Sequence, residues 1–541
     1  MLSYAHGPSE TPLLGETIGE NFDLAVASYA DREAVVVAHQ DVRWTYAELA
    51  ERVDRLARGL IAFGLQPGDR MGIWAPNCSE WLLVQFASAK AGVILVNINP
   101  AYRTSELQYA LRQSGCRLLV AAQAFKTSSY VQMVEEVAPL CEALERTIFT
   151  ETPEWDELAA GDESAQLPSG LQFDDPINIQ YTSGTTGFPK GATLTHHNIL
   201  NNAYFIAEKL SYTPADRVCV PVPFYHCFGM VLGNLACTTH GSAIVVPAAA
   251  FEPAATLSVT AQERCTSLYG VPTMFIAELE LLDSPEFRDL DLTNLRTGIM
   301  AGSPCPVEVM RRVVERMHMS EVQIAYGMTE TSPVSTQSDA SDDLEHRTST
   351  VGRVHPHVEI KVVDPVSGEC VPRGEPGELC TRGYSVMLGY WNDPEQTAEA
   401  IDRAGWMHTG DLATMDADGY VNIVGRSKDM VIRGGENVYP REIEEFLYGH
   451  PEVRDVQVVG VPDERYGEEI AAFVIPRDAS RFDGEAVREY CRGQIAHYKV
   501  PRYVIAVDEF PMTVTGKIQK FKLRERAIEQ LGLEGAITAT A

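Results

Sequence analysis

The stretch Tyr181–Gly191, with the sequence YTSGTTGFPKG, contains three glycines, four serine or threonine hydroxyls and one lysine. It follows a run with strand character, Ile177–Gln180, and precedes a second such run, Ala192–Leu194. A flexible loop of backbone N–H and side-chain O–H donors beside one positive charge is what a polyphosphate needs. The stretch therefore predicts a phosphate-binding loop between two strands.

This loop differs from the common nucleotide-binding pattern G-x-x-x-x-G-K-[ST]. Pro189 precedes Lys190, and Gly191 stands where serine or threonine is required. A kinase or a P-loop ATPase is therefore disfavoured. An ordinary linker is the alternative, but linkers seldom end in a lysine directly before another strand.

The chain up to about residue 420 alternates short β-rich apolar runs with helical patterns. Strand character is found at Met71–Trp74, Gly92–Asn97 and Leu118–Ala122, and apolar residues recur at helical spacing over Tyr46–Phe63. Alternation of this kind predicts α/β layers with parallel sheet. The turn-rich segment Asp364–Tyr390 predicts a smaller β-rich subdomain, either a barrel or a meander.

The pattern restarts after Gly425–Asp429 as a compact α+β unit. A proline opens the predicted helix Pro440–Leu447, and Val453–Val461 and Ile470–Ile475 are predicted to be paired strands. We therefore expect an α/β fold with a large N-terminal domain of two layered α/β subdomains and a small β-barrel subdomain. A small α+β C-terminal domain on a hinge follows. The expected domains are residues 1–426 and 427–541.

The formal net charge of the 541-residue chain is −31. A surface this acidic repels nucleic acid and anionic lipid, so neither is an expected partner. The same repulsion opposes any phosphorylated substrate, and a nucleotide site must therefore be locally rich in cations or N–H donors.

Two features of composition concern the compartment. The 11 cysteines form no C-x-x-C pair, which is typical of buried thiols in a reducing compartment. No Lys or Arg precedes Arg32, unlike targeting segments, and no apolar run approaches the roughly 18 residues of a membrane span. The expectation is a cytoplasmic protein without an integral membrane span.

The loop Tyr181–Gly191 resembles the phosphate-binding signature of the acyl-adenylate-forming enzymes, which include acyl-CoA synthetases, luciferases and peptide-synthetase adenylation domains. Five further segments resemble family motifs and occur in the family's order. They are the adenine-side turn Met300–Pro304, the core motif Tyr326–Glu330, the ribose segment His408–Leu412, the hinge Gly425–Asp429 and the catalytic-lysine loop Pro511–Lys517.

The resemblance implies catalytic roles for Lys517, Thr329, Glu330 and His226. It also implies a set of ATP contacts, spread from the phosphate loop to the C-terminal loop. These are Thr182, Ser183, Gly184, Thr185, Thr186, Gly187, Phe188, Pro189, Lys190, Gly302, Ser303, Pro304, Tyr326, Gly327, Thr329, Asp411, Arg426 and Lys517.

The chemistry of these side chains suits the implied roles. The ring of Tyr326 offers a stacking face for adenine, and the hydroxyl of Thr329 can donate a hydrogen bond to the α-phosphate. The carboxylate of Glu330 supplies the oxygen ligands that Mg²⁺ prefers. The carboxylate of Asp411 can accept from two ribose hydroxyls, and Arg426 can donate to the sugar or a phosphate. Taken alone, each charged residue would be an ordinary surface charge.

Two residues are assigned to the reaction centre by the resemblance. Lys517 would stabilise the charge that develops when a carboxylate attacks the α-phosphorus of ATP. His226 would orient the substrate carboxylate or gate the approach of a thiol, although a lone histidine among aromatics is more often a core residue. The acyl pocket implied by the family comprises His226, Phe228 and Gly229.

The resemblance also implies a conformational change between two half-reactions. Lys428 matches the hinge residue about which the small domain rotates, although a surface lysine gives the same pattern. Coenzyme A would then be bound by Arg433, Gly434 and Gly435, where side-chain-free backbone lets a thin pantetheine arm pass.

The expected function is an acyl-CoA synthetase for a medium-chain fatty acid, using ATP, Mg²⁺ and coenzyme A. Three segments, Gly383–Trp391, Gly425–Pro440 and Gly516–Arg524, resemble medium-chain enzymes of the fatty-acid type. The alternatives are a luciferase-like oxygenase, a carrier-loading adenylating enzyme and a non-enzymatic binding protein. Phe224–Met230 contains no acid to hold an amino group, which disfavours the carrier-loading alternative. The oligomeric state is left open, with a homodimer among the options.

Overall fold

The computed structural model describes residues 1–182, 189–434, 436–463, 465–492, 494–513 and 516–533, apart from the side chains of Ser427 and Asn437. Its α-helices are α1 (Ile18–Tyr29), α2 (Tyr46–Phe63), α3 (Ser79–Ala91), α4 (Thr104–Ser114), α5 (Tyr130–Val137), α6 (Pro153–Ala160), α7 (His196–Lys209), α8 (Ala236–His240), α9 (Pro253–Gln262), α10 (Pro272–Leu282), α11 (Val307–Arg316), α12 (Leu344–Ser349), α13 (Pro394–Ala400), α14 (Pro440–Tyr448), α15 (Gly484–Cys491) and α16 (Lys520–Leu531). Short 3₁₀ helices span Ala38–Gln40, Ala138–Leu140, Thr329–Thr331, Ser427–Asp429 and His497–Lys499, and a π-helix spans Phe228–Leu235.

Two large sheets form the body of the molecule. The first has the spatial order β21 (Gly389–Tyr390), β11 (Lys190–Thr195), β10 (Pro176–Thr182), β5 (Ile94–Asn97), β4 (Arg70–Trp74), β6 (Leu118–Ala121) and β9 (Arg146–Phe149). The second has the order β18 (Arg353–Val354), β17 (Val334–Gln337), β16 (Glu321–Gly327), β15 (Thr297–Ala301), β14 (Ser267–Gly270), β12 (Arg217–Cys219), β13 (Ala243–Val246), β2 (Glu33–Val37) and β3 (Val42–Thr45). A two-stranded ribbon pairs β7 (Ala124–Phe125) with β8 (Ser128–Ser129).

The central strands of both large sheets run parallel, as the alternating pattern predicts. Strands β9, β6, β4, β5 and β10 are parallel neighbours, and so are β2, β13, β12, β14, β15 and β16. One hydrophobic core includes residues of both sheets, together with helices such as α3, which is buried along almost its whole length. A helix that is buried on every side has apolar residues all around it and no separate polar face.

The smaller β-rich unit is a third sheet of five antiparallel strands. Its order is β1 (Tyr4–His6), β19 (Val358–Val363), β20 (Gly377–Gly383), β22 (Met407–Met415) and β23 (Val421–Arg426). Its first strand comes from the chain start, more than 350 residues before its neighbour, as the pairing of Tyr4 with Lys361 shows.

The C-terminal part is an α+β unit around a fourth sheet. Its path is β25 (Glu436–Val438), β24 (Val431–Arg433), β27 (Gly467–Pro476) and β26 (Val453–Asp463), and β28 (Tyr503–Ala506) pairs with β27. Alternate residues of β27 face two different cores: Ile470 and Ala472 pack on the side of α14 and α15, whereas Ala471 and Phe473 pack on the side of α16. This is the two-residue period of a strand covered on both faces.

The predicted fold class is confirmed, with a large N-terminal α/β part and a smaller C-terminal α+β part. The exact division into residues 1–426 and 427–541 stays a prediction. Among the residues that the structure describes, no helix combines the length and the apolar character that crossing a membrane requires.

Candidate active site

The predicted phosphate loop connects two antiparallel strands at an edge of the first sheet. Strand β10 ends at Thr182 and β11 begins at Lys190, and these two residues are register partners. Pro189 is described and half-buried, whereas the predicted ATP contacts Ser183, Gly184, Thr185, Thr186, Gly187 and Phe188 lie outside the described residues. The ammonium of Lys190 lies 4.8 Å from the centroid of the Tyr390 ring, a cation–π contact.

Glu330 is a buried carboxylate in contact with Thr182 at the end of β10. It lies in the 3₁₀ helix Thr329–Thr331 and is 5% exposed. Its Oε1 accepts hydrogen bonds from the hydroxyls of Thr182 at 3.0 Å and Tyr390 at 2.9 Å. In the part of the chain that the structure describes, no group donates to Oε2. A carboxylate with one oxygen held by hydrogen bonds and the other oxygen free fits the role of a Mg²⁺ ligand.

The predicted adenine and ribose contacts come from two sheets that meet at Asp411. The Tyr326 hydroxyl, from the end of β16, donates to Asp411 Oδ2 at 2.7 Å. Arg426, directly opposite on the neighbouring strand, places Nε 3.0 Å from Asp411 Oδ1. Burial and the Asp411 carboxylate raise the pKa of Tyr326, so its hydroxyl remains protonated and donates. The Asp411 carboxylate raises the pKa of Arg426.

Two positions beside Tyr326 and Lys517 require glycine. A Cβ on Gly327 would lie 1.7 Å from the Pro333 carbonyl oxygen, so no other residue fits at the end of β16. Gly302 has φ +88°, in the region that favours glycine, and lies with Ser303 and Pro304 in the predicted turn Met300–Pro304. A Cβ at Gly302 would also stand 3.7 Å from Lys517 Cε, which places the C-terminal lysine beside the adenine-side turn.

Lys517 reaches this region from the C-terminal part of the chain. Its backbone closes a tight loop, because Thr513 N–H donates to Lys517 O at 2.7 Å and Lys517 N–H donates to Thr513 Oγ1 at 3.1 Å. The side chain lies in a narrow, largely apolar pocket that also contains Val222, Pro223, His226, Phe228, Val271 and Gly302. Burial lowers the pKa of Lys517 from its usual value.

His226 is half-buried beside Lys517. Its Nδ1 accepts the backbone N–H of Phe228 at 3.1 Å, so the neutral ring carries its proton on Nε2. Burial, together with the positive charge of Lys517, lowers the pKa of His226 to about 3. The imidazole is therefore neutral near neutral pH and offers an N–H donor rather than a second cation.

The predicted acyl segment continues into the π-helix Phe228–Leu235. Gly229 is required there, because a Cβ would lie 2.4 Å from the Pro223 carbonyl oxygen. A buried amide pair supports this helix: Gln85 Nε2 donates to Met230 O at 3.2 Å, and Asn234 Nδ2 donates to Gln85 Oε1 at 2.8 Å. π-Helical segments are rare and occur often at functional sites.

The predicted hinge and coenzyme A residues lie apart from this cluster. Lys428 is exposed in the 3₁₀ helix Ser427–Asp429, between the third and fourth sheets. Arg433 donates to Glu469 Oε1 at 2.7 Å and to Tyr498 O at 2.8 Å within the C-terminal part. Gly434 has φ +62°, and Gly435 lies outside the described residues.

Arg433 also lines a cavity of about 700 Å³ in the C-terminal part. Its other lining residues include three further arginines and one histidine, namely Arg488, Arg492, Arg502 and His497. Glu469 also lines this cavity, and all four arginines are paired with acidic side chains, so a ligand that carries phosphate groups would have to replace those partners.

Sequence patterns identified most of these groups but missed three contributions. The sequence assigned no role to Tyr390, Cys227 or the pair Gln85–Asn234, although Tyr390 lies within Gly383–Trp391 and Cys227 within Phe224–Met230, and each touches a predicted residue or its helix. Cys227 Sγ lies 3.8 Å from Thr329 Oγ1. Only the position of Cys227 next to His226 gave a signal in the sequence.

Two unequal parts of the fold bring the carboxylates of Asp411 and Glu330 close to Lys517, which comes from the smaller part, and this is the arrangement that the predicted nucleotide site requires. The family model for "AMP-binding enzyme" matches residues 22–391, and the model for its C-terminal domain matches residues 442–517. The chain therefore belongs to the AMP-binding enzyme family, which confirms the family resemblance.

Two curated relatives align over nearly the whole chain. A putative acyl-CoA synthetase, YngI, of Bacillus subtilis is 50% identical, with 97% of this chain and 99% of the relative covered. The mitochondrial medium-chain acyl-CoA ligase ACSF2 of Danio rerio is 46% identical, with 98% of this chain and 91% of the relative covered.

Solved structures share the fold over the same span. ATP-bound MatB from Rhodopseudomonas palustris superposes with a TM-score of 0.85 and 32% identity, covering 95% of this chain and 99% of MatB. The anthranilate CoA ligase AuaEII in complex with anthranoyl-AMP has a TM-score of 0.88 at 26% identity, covering 97% and 99% of the two chains.

Proposed function

We propose that this chain is an AMP-forming acyl-CoA synthetase that activates a medium-chain fatty acid with ATP and then transfers the acyl group to coenzyme A. The observation that carries the proposal is the position of Lys517, which lies beside Gly302 and His226 in the apolar pocket. The relatives named above are acyl-CoA synthetases and ligases, in agreement with the enzyme class predicted from the sequence.

The first half-reaction joins the acid to AMP. A carboxylate oxygen attacks the α-phosphorus of ATP, the bond to the β-phosphate oxygen breaks, and pyrophosphate leaves with that electron pair. Two anions must approach each other, and the ammonium of Lys517 stabilises their charge in a pocket with little water. Neutral His226 donates its Nε2–H to the substrate carboxylate without adding a second cation.

The nucleotide is oriented by groups that are already in place. Asp411 accepts from the ribose hydroxyls, and Arg426 and Tyr326 hold its carboxylate in position. Thr182 and Lys190 flank the phosphates from the two strands that border the loop. Thr329 donates its hydroxyl to the α-phosphate.

Glu330 is the proposed protein ligand for Mg²⁺, through its free Oε2. When bound, Mg²⁺ would neutralise charge on the phosphate oxygens. Thr182 and Tyr390 contribute by fixing the carboxylate of Glu330 through Oε1.

The second half-reaction makes the thioester. The coenzyme A thiolate attacks the acyl carbonyl, the acyl–phosphate bond breaks and AMP leaves. We propose that residues 427–541 rotate about Lys428 relative to residues 1–426 between the two steps, since Lys428 is exposed and joins two separate sheets. The segment Arg433, Gly434 and Gly435 then contributes to coenzyme A binding, which the neighbouring arginine-lined cavity supports.

The medium-chain acid is proposed on the ACSF2 relatives and on the apolar lining around Lys517, because the free space of about 10 Å³ in this pocket does not itself hold an alkyl chain. Val222, Phe228 and Val271 line it, and Lys517 is its one charged member among the described lining residues. Each methylene of an alkyl chain buried there contributes about 0.8 kcal/mol. The name medium-chain belongs to the ACSF2 relatives, and it is extended to this chain only as part of the proposal.

The compartment and the assembly stay predictions. All 11 cysteines are free thiols in the structure, which supports the proposed cytoplasmic location. The ACSF2 relatives are named mitochondrial. A homodimer remains an untested option.

The proposal is tested by incubating the full chain with Mg²⁺, ATP, coenzyme A and acids from acetate to palmitate, with aromatic acids included. Pyrophosphate, AMP and acyl-CoA are measured separately. We expect equal amounts of all three products, with the highest kcat/KM for medium-length alkyl acids. Pyrophosphate release without acyl-CoA would instead support the luciferase-like or carrier-loading alternatives.

A further inference from the structure

Three metal-binding side chain types meet in the third sheet, outside the proposed nucleotide contacts. Glu378 and Cys380 lie two residues apart on β20 and thus on one face, and His408 is the register partner of Cys380 on β22. One ligand atom of each residue lies within 4.8 Å of the other two. Among the residues that the structure describes, this is the one such group of histidine, cysteine and acidic side chains.

The distances approach those of a tetrahedral site. Cys380 Sγ lies 3.6 Å from His408 Nδ1, and His408 Nδ1 lies 2.8 Å from Glu378 Oε2. Ligand atoms around Zn²⁺, at bond lengths of roughly 2.0 to 2.3 Å, stand roughly 3.5 Å apart. The Cys380–His408 pair already has this spacing, and the glutamate oxygen must retreat by less than about 1 Å.

Exposure and second contacts also suit a bound cation. Cys380 is buried, whereas Glu378 and His408 are half-exposed, so water can supply a fourth ligand. Glu378 Oε1 is already fixed by the backbone N–H of Gly410 at 3.0 Å, which leaves Oε2 for the metal. The Asp402 carboxylate also lies near the Cys380 thiol, whereas the nearby ammonium of Lys361 opposes a cation.

We propose that Glu378, Cys380 and His408 form a site for a Zn²⁺-class divalent cation between β20 and the part of β22 that precedes Asp411. Sulfur, imidazole nitrogen and carboxylate oxygen together select Zn²⁺ over Mg²⁺. On binding, the Cys380 thiol proton passes to solvent and the His408 imidazole proton moves from Nδ1 to Nε2, so that sulfur and nitrogen each present a lone pair.

The local environment makes metal-free Cys380 inert. Burial, followed by the nearby Glu378 carboxylate, raises the pKa of the Cys380 thiol to about 12. A bound dication reverses this preference, because a coordinating thiol is deprotonated. Occupancy would also fix His408 and Gly410, the latter directly before Asp411, since His408 would be a ligand and the backbone of Gly410 is held by Glu378. The proposal does not depend on the proposed synthetase activity.

The competing explanation is a metal-free clamp, in which Glu378 accepts from both His408 and Gly410. The two are distinguished by titrating full-length, tag-free protein with Co²⁺ in the absence of ATP and Mg²⁺. We expect binding of about one Co²⁺ per chain, a sulfur-to-cobalt charge-transfer absorption, and loss of that absorption when Zn²⁺ is added. Absence of the absorption would overturn the proposal.

Variants assign the signal to these residues. Cys380→Ser and His408→Gln should each weaken Co²⁺ binding by at least about tenfold, and Cys380→Ser should abolish the charge-transfer band. Cys78→Ser, at a half-buried cysteine directly before α3, is the matched control and should change neither the Co²⁺ affinity nor the charge-transfer band. If Cys380→Ser fails to fold, the Co²⁺ affinity of His408→Gln, a change at a half-exposed residue, provides the test instead. Unchanged Co²⁺ affinity in a folded variant, or loss of the band in Cys78→Ser, would contradict the assignment.

Discussion

The ribose side and the lysine side of the site are built in different ways. Asp411 is already paired with Tyr326 and Arg426, and all three belong to the large N-terminal part. Lys517 instead arrives on a loop of the C-terminal part and sits among apolar walls. On the proposed function, the difference means that nucleotide recognition is preorganised, whereas the charge for adenylation is delivered by the C-terminal part.

The largest effect is expected from removing the delivered charge. Lys517→Ala should lower kcat/KM for acyl-CoA formation by about 10²- to 10³-fold, because the developing charge loses its cation. Steady-state kinetics with ATP, acid and coenzyme A checks this. Lys522→Ala, at an exposed lysine of α16, is the control and should retain full activity.

A smaller effect is expected on the preorganised side. Asp411→Asn should raise the KM for ATP by about 10- to 100-fold, since it weakens charge-assisted bonds to ribose and leaves Arg426 without its partner. Asp418→Asn, at an exposed aspartate in the turn after β22, should leave this KM unchanged. A KM for ATP that stays normal in Asp411→Asn would remove Asp411 from the ribose site.

The pH dependence sharpens the comparison. Adenylation needs protonated Lys517, so its rate should fall as pH rises through the pKa of that lysine. Because burial lowers this pKa, the fall should begin below the usual lysine value of 10.5. In the Lys517→Arg variant, the remaining adenylation rate should start to fall only at a higher pH, because the guanidinium group stays charged there. An identical alkaline limb in both proteins would mean that another group titrates.

The smallest effect is expected at the support of Glu330. Tyr390→Phe removes one of two hydroxyl donors to Oε1 while Thr182 still donates, so activity at limiting Mg²⁺ should fall by about two- to tenfold. Tyr420→Phe removes a similar bond to Asp342 in another region and is the control. Equal losses in both variants would indicate a general stability effect.

Sequence patterns predicted helices and strands well where residues next to an element determine where it begins and ends. Helix α2 spans the predicted Tyr46–Phe63, because Thr45 and Glu48 form a capping box and Gly64 ends the helix with φ 106°. The two long strands of the C-terminal sheet were also predicted, although each extends beyond the predicted limits. The family motifs located Asp411, Arg426 and Lys517, which the structure brings to one region.

Long-range contacts could not be predicted in this way. The pairing of Tyr4 with Lys361 and the bond from Tyr390 to Glu330 join distant segments, and no periodicity encodes them. The π-helix depends on a tertiary bond from Gln85, so helical spacing alone could not indicate it. Arg433 matched a coenzyme A motif, but its present bonds to Glu469 and Tyr498 follow from the C-terminal fold.

The most direct test of a delivered catalytic charge is to measure the two half-reactions separately in Lys517→Ala. Carboxylate-dependent exchange of labelled pyrophosphate into ATP, without coenzyme A, reports adenylation, and conversion of supplied acyl-AMP to acyl-CoA reports thioester formation. We predict that exchange falls by at least about 10²-fold while thioester formation changes by less than about tenfold. Equal losses in the two half-reactions, or exchange that persists in the variant, would contradict the account.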